Sequence, residues 1–180
     1  MQLTIQRDTS EQRPLAFPSR IRARGPSGVG IWIDLLIEDV SLVTGDYTVK
    51  GYHHLTLVER KCGILEIGKN ILSPDCHRLE REFVRLRDEC RYPILFIEGS
   101  LASFLNPPRP KRPRRDGQGR TVQDTDMAFS PEEAVFGLFT LCRQYGIMPM
   151  ICPVTGVDQK RKAGVCVALL LAAGVLAHAS

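Results

Sequence analysis

A chain of 180 residues with 43% hydrophobic and 24% charged residues has ordinary globular composition, which excludes a fibrous or low-complexity chain. It is sized for one domain over residues 1–180, burying about 70% of its unfolded surface. The net charge of +4 is mild, and six scattered cysteines without a Cys-x-x-Cys pair exclude a zinc ribbon or a disulfide scaffold.

In chain order, Gln2 to Arg7 alternates with Leu3 and Ile5 on one face and predicts the first strand. Pro14 to Gly30, rich in Pro, Gly and Arg, reads as a loop. Ile31 to Val43 is strand-like, in one or two pieces. The turn Gly45-Asp46-Tyr47 follows, and Leu55 to Arg60 reads as a short buried strand running into Lys61. Side chains two apart in a strand share a face, so Glu59 and Lys61 lie on one side and Arg60 on the other. Gly63 to Asn70 suits a helix face, with Glu66 at its start.

Ser73-Pro74 or Asp75 opens a second helix in which Leu79, Phe83, Leu86 and Cys90 recur at helical spacing. Its arginines, Arg78 foremost, are candidates for DNA phosphate contact; as a solvated face they would pair with Glu80, Glu82 and Asp88. Pro93 to Glu98 is a further strand. Leu105 to Phe129, with four prolines and Asp116-Gly-Gln-Gly, reads as a long mobile loop. Its stretch from Pro107 to Arg120 holds Arg109, Lys111, Arg112, Arg114, Arg115 and Arg120 against one acid, Asp116, so the chain's positive charge is concentrated there. Such a cluster binds nucleic acid through counterion release; it would equally serve as a nuclear import signal or a solubilising insertion.

Ser130-Pro131-Glu132-Glu133 is a helix start, with serine at the N-cap, proline at N1 and glutamate at N3. Ile147 to Ile151 is a short edge strand, since Pro149 removes a ladder donor. Ala163 to Ala177 is uncharged but shorter than the about 20 residues a membrane span needs, so a buried helix closing the core is expected, and no membrane. No secretory pattern opens the chain, which points to reduced thiols in an intracellular, cytoplasmic protein, nuclear in a eukaryotic host. The alternation of strands and helices predicts an α/β mixed sheet flanked by helices on both sides.

If neighbouring strands bring Asp46 beside Glu59, their oxygens suit a hard divalent cation, magnesium with manganese as a substitute. Such an ion acidifies a bound water and neutralises charge on a phosphate. Lys61 would orient that water or offset the phosphate charge. The same residues also have a plain structural reading, with Asp46 capping its turn, Glu59 paired to Lys61 or Arg60, and Glu11 an ordinary surface acid.

Gly45-Asp46 followed by Glu59-Arg60-Lys61 resembles the signature of XPF-type structure-specific endonucleases, a branch of the restriction-enzyme-like PD-(D/E)xK nucleases. Ile5 to Leu15 resembles that family's opening strand and Asp-Thr-Arg-Glu-Gln element, with Asp8, Glu11 and Gln12 in place and Ser10 where the family has arginine. Arg78 to Leu86, Pro93 to Gly99 and Ser130 to Ile147 are similar to the following helices and strands of short phage and bacterial members. Two features depart from the pattern. The acid four positions after the lysine is replaced by Leu65, with Glu66 one step later as its candidate substitute. No helix-hairpin-helix element follows, so the chain resembles a bare catalytic domain.

The resemblance implies a restriction-endonuclease-like fold and a Mg2+- or Mn2+-dependent endonuclease that cuts branched, flapped or joint duplex DNA in repair or recombination, often as a homodimer. It implies Asp46 and Glu59 as metal ligands, helped by the backbone carbonyl of Arg60, with Lys61 as the cationic partner. Asp8 and Glu11 would flank the site, and Glu66 would support it. Two rivals stand beside this reading. Ser10 and Leu65 leave room for a catalytically inactive DNA-binding relative. Gly63 to Asn70 is one residue from a P-loop, with Ile94 to Glu98 as its acidic partner strand, but Asn70 lacks the hydroxyl that the motif uses on magnesium.

Overall fold

The computed structural model describes residues 1–24, 28–72, 76–105, 114–115, 121–122, 130–153 and 158–178. Seven strands form one mixed sheet: β1 (Gln2–Asp8), β2 (Arg20–Arg24), β3 (Gly30–Val40), β4 (Tyr47–Val49), β5 (Thr56–Lys61), β6 (Tyr92–Glu98) and, after a separate two-strand ladder, β9 (Met148–Cys152). Their order across the sheet is β2-β3-β1-β4-β5-β6-β9. β1 runs parallel to β3, and β5, β6 and β9 are mutually parallel, while β4 reverses direction between the two groups.

Helices cover the two faces unequally. α5 (Gln159–His178) lies on one face, where Val167, Leu171 and Val175 share a core with Ile5, Ile33, Tyr47, Val58 and Phe96. It is long and apolar enough to cross a membrane by length and composition, yet its buried residues belong to this core. It also sits close on the chain after β1. A Cβ on Gly164 would lie 2.2 Å from the carbonyl oxygen of Ala16, so only glycine fits there. On the opposite face, α1 (Ile64–Leu72), α2 (Cys76–Glu89) and α4 (Pro131–Tyr145) bring Ile67, Leu79, Phe83, Leu86 and Leu138 into a second core with Leu57, Leu95 and Ile97. Strand β6 is apolar almost throughout because both of its faces are covered. This is the restriction-endonuclease-like arrangement, as expected.

Several boundaries follow the sequence. Ser130 caps α4 as a capping box: its Oγ accepts from the Glu133 amide at 3.3 Å, and the Ser130 amide donates to Glu133 Oε2 at 3.2 Å. Strand β9 lies at the sheet edge, as Pro149 requires. Other boundaries need correction. The expected loop Pro14 to Gly30 contains β2, an edge strand whose Arg-Ile-Arg-Ala-Arg pattern buries Ile21 and turns its arginines outward. Ile31 to Val43 forms one strand that ends at Val40.

Leu105 closes a five-residue helix, α3 (Leu101–Leu105), held by the side chain of Phe104 in the core. Within the expected loop, β7 (Arg114–Arg115) pairs with β8 (Thr121–Val122) as an antiparallel ladder. The P-loop reading fails on backbone, since Ile64 to Leu72 is helix and leaves no glycine-rich turn to cradle a phosphate. The expected opening of α2 at Ser73 to Asp75 lies outside the described residues.

Candidate active site

The register of two strands brings the predicted acids together. Tyr47 on β4 pairs with Val58 on β5, which sets Asp46 beside Glu59. The Asp46 amide donates to the Val58 carbonyl at 2.8 Å, and the Arg60 amide donates to Asp46 Oδ2 at 2.7 Å. Gly45 makes this approach possible: its φ is +76°, and a Cβ there would press to 3.3 Å from the Val58 oxygen.

Along β5, side chains alternate. Leu57 enters the core beneath α2, so Glu59 and Lys61 face the same way, and Lys61 Nζ donates to Glu59 Oε1 and to Glu82 Oε1, each at 2.7 Å. Val58 and Arg60 face α5. The Arg60 side chain, 3% exposed, donates to Glu98 Oε1 at 2.6 Å, Glu11 Oε2 at 3.2 Å and the Arg13 carbonyl at 2.8 Å. Glu98 in turn accepts from Gln159 Nε2 on α5 at 3.3 Å. Arg60 was expected among the catalytic residues through its backbone carbonyl; its guanidinium is a buried tie between the segment after β1 and strands β5 and β6, and its amide holds Asp46.

Burial sets the protonation behaviour. It pushes the Asp46 carboxyl up to about 6, with Glu11 adding to the rise and the Arg60 amide opposing it. Burial, together with Glu82 and Asp46, pushes Glu59 well above the usual carboxylate range. Burial works against the Glu82 carboxylate, but its contact with Glu59 and the charge of Lys61 hold it below its ordinary value. Lys61 stays charged: Glu59 and Glu82 raise it more than burial lowers it.

Among the described residues no three His, Cys, Asp or Glu form a ready-made cage. Magnesium rarely needs one, as it keeps several waters and takes one or two carboxylates plus substrate phosphate. Asp46 and Glu59 are two desolvated acids, and the charge of Asp46 adds to the rise at Glu59, the condition a hard cation would relieve. The residues fit such an ion.

These groups line an open cleft of about 500 Å3 together with Ser10, Glu11, Glu66 and Arg78. Glu66 is exposed and accepts from the Cys62 amide at 3.0 Å, so it caps the start of α1 from the cleft rim. Asp8 is not among the lining residues. It accepts from the Leu42 amide at 3.0 Å and from the Ser10 hydroxyl, closing a turn beside the site. Arg109, Lys111 and Arg112 lie outside the described residues, as do the side chains of Arg114 and Arg115.

Sequence reading missed Glu82 as a site residue and missed Glu98 as the partner of Arg60. Glu82 did carry a signal. It falls on the buried stripe of Leu79, Phe83 and Leu86, where a carboxylate needs a specific partner.

No family model and no curated protein sequence matches the chain. Solved structures do match. XPF from Aeropyrum pernix aligns with a TM-score of 0.52 at 19% identity, over 94% of this chain and 64% of that one. XPF from Aeropyrum pernix in complex with DNA aligns with a TM-score of 0.51 at 21% identity, over 93% and 62%. The fold is that of an XPF-type nuclease domain. The chain spans less than two thirds of those XPF proteins, and the expected XPF-type resemblance is borne out at the level of the fold.

Proposed function

We propose that this chain is a divalent-metal-dependent DNA endonuclease that hydrolyses phosphodiester bonds in branched, flapped or joint duplex DNA. The observation that carries this reading is the pairing of Asp46 with Glu59 across β4 and β5, with Lys61 on the same face. Asp46 and Glu59 would hold Mg2+, or Mn2+ in its place. Such an ion, when bound, supplies an acidified water and offsets phosphate charge. Lys61 Nζ donates to a non-bridging phosphate oxygen or to the attacking water. Glu82 is a positioning residue that shares Lys61 with Glu59 and keeps its ammonium in the cleft. The Arg60 amide orients the Asp46 carboxylate, and Arg78 at the cleft wall offers a phosphate contact. DNA as the partner is supported by the fold neighbour in complex with DNA.

The test is cleavage of labelled flap, fork and linear duplex DNA in Mg2+ or Mn2+, with Asp46→Ala and Lys61→Ala beside the parent. Cutting by the parent alone is the expected result. A parent that binds DNA with steep salt dependence and never cuts is an inactive relative, and a parent that does neither ends both readings.

A further inference from the structure

The face that carries Glu59 and Lys61 is only half covered. Leu3, Ile5, Ile21, Ile33 and Leu35 enter the core under α5, so the pleat turns their neighbours on β1, β2 and β3 to the site-bearing face. Among the described residues, the core on that face draws its strand residues from β5, β6 and β9, and none covers the exposed Trp32 and Leu36 of the β2-β3-β1 half. Trp32 is 56% exposed there. The guanidinium carbons of Arg20 and Arg22 lie 5.7 and 5.8 Å from its ring centroid. Arg24 shares their face of β2, against Asp34 as the neighbouring acid. Arg20 pairs with Asp34 at 2.6 Å, but both side chains are half exposed, and such a pair is readily exchanged for a phosphate.

We propose that this surface is a second nucleic-acid site: Trp32 stacks an unpaired base, and Arg20 and Arg22 hold the phosphates on either side of it. The inference rests on DNA as the substrate and assigns a single-stranded arm of the branched molecule to this face. Charge complementarity selects a polyanion, and a half-exposed indole selects a strand with free base faces, which a duplex hides. Trp32 stands eight residues before Val40, the partner of Asp8 at the site end of the sheet, and three strand spacings from β5. That separation is roughly 30 Å, about nine nucleotide steps, so one DNA molecule can occupy both places.

Trp32 is the only tryptophan in the chain, so its emission reports on this surface alone. The experiment titrates the full chain with a single-stranded oligothymidylate in EDTA, following tryptophan emission and, in parallel, the anisotropy of a labelled copy. Saturable quenching that weakens with salt is expected, with little quenching by a duplex of equal length. Trp32→Ala and the pair Arg20→Gln with Arg22→Gln should each weaken binding on the order of tenfold, and Trp32→Phe should retain most of it. Binding with silent emission, or unchanged affinity in Trp32→Ala, overturns the proposal. So does the absence of oligonucleotide binding, or emission that tracks protein concentration alone, which would mark a second copy on this face. Quenching without cleavage in Mg2+ would keep this site and remove the nuclease reading, whereas cleavage with silent emission would do the reverse.

Discussion

Glu82 reaches from α2 to within 2.7 Å of Lys61 Nζ on β5, so the ammonium that meets Glu59 is shared between a strand and a helix. Neither side chain is more than 14% exposed, which makes the pair sensitive to the loss of either charge.

Glu82→Gln removes that charge and leaves Lys61 to Glu59 alone. Cleavage under single turnover should fall about tenfold, roughly 1.4 kcal/mol of transition-state stabilisation, with DNA affinity little changed. Stabilisation by Mn2+, read as a shift in melting temperature, should persist in this variant and vanish in Asp46→Ala. Loss of the Mn2+ shift in Glu82→Gln would make Glu82 a metal ligand rather than a positioning residue.

The raised acids make the metal-free chain sensitive to pH. Asp46 binds its proton more tightly folded, near 6, than unfolded, near 3.8. Its contribution to stability is therefore full below about 3.8 and is lost as pH rises through about 6. Glu59 acts in the same direction, whereas Glu82, lowered, contributes above its ordinary value and loses that contribution in acid. Melting curves in EDTA from about pH 4 to about pH 7 should show a smaller decline in Asp46→Asn than in the parent. Mn2+ should stabilise the parent increasingly above pH 6, once the carboxylates are ionised.

Arg60→Ala tests the assignment of its guanidinium to structure. Glu98, 7% exposed, would lose its cation, and such losses typically cost about 3–5 kcal/mol. Urea unfolding should show this loss with or without metal. A variant of parental stability that fails only in cleavage would return Arg60 to the chemistry.

Gly164→Ala places a methyl against the backbone of Ala16, 2.2 Å from its oxygen and 2.8 Å from its carbon. A loss of about 1–3 kcal/mol in urea unfolding is expected, because backbone cannot move aside as a side chain can. The segment pushed is the one that follows Glu11, so the Glu11–Arg60 contact should weaken with it.

The central parts of the site were legible because they are local. Period-two alternation in β5 separates Glu59 and Lys61 from Arg60 within three residues, and Ser130 to Glu133 spell out a helix cap. What escaped depends on distance or on disguise. Glu98 is 38 residues from Arg60, a separation that no spacing rule connects. Strand β2 shows three arginines outward and only Ile21 buried inward, so its composition reads as loop. Glu82 lay among arginines in sequence and looked like their neighbour, while the fold turned it toward Lys61.

Three consecutive residues of β5 hold opposite duties: Glu59 and Lys61 open to the cleft, and Arg60 locks the other side to Glu98. A shift of one position along the strand would exchange those duties, sending the guanidinium into the cleft and burying the ammonium beneath α5. An insertion of odd length in the turn from Lys50 to Leu55 that propagates into β5 therefore inverts the site, whatever residues it adds. Parity along β5 is thus part of the chemistry, because it decides which of the three side chains meets the cleft.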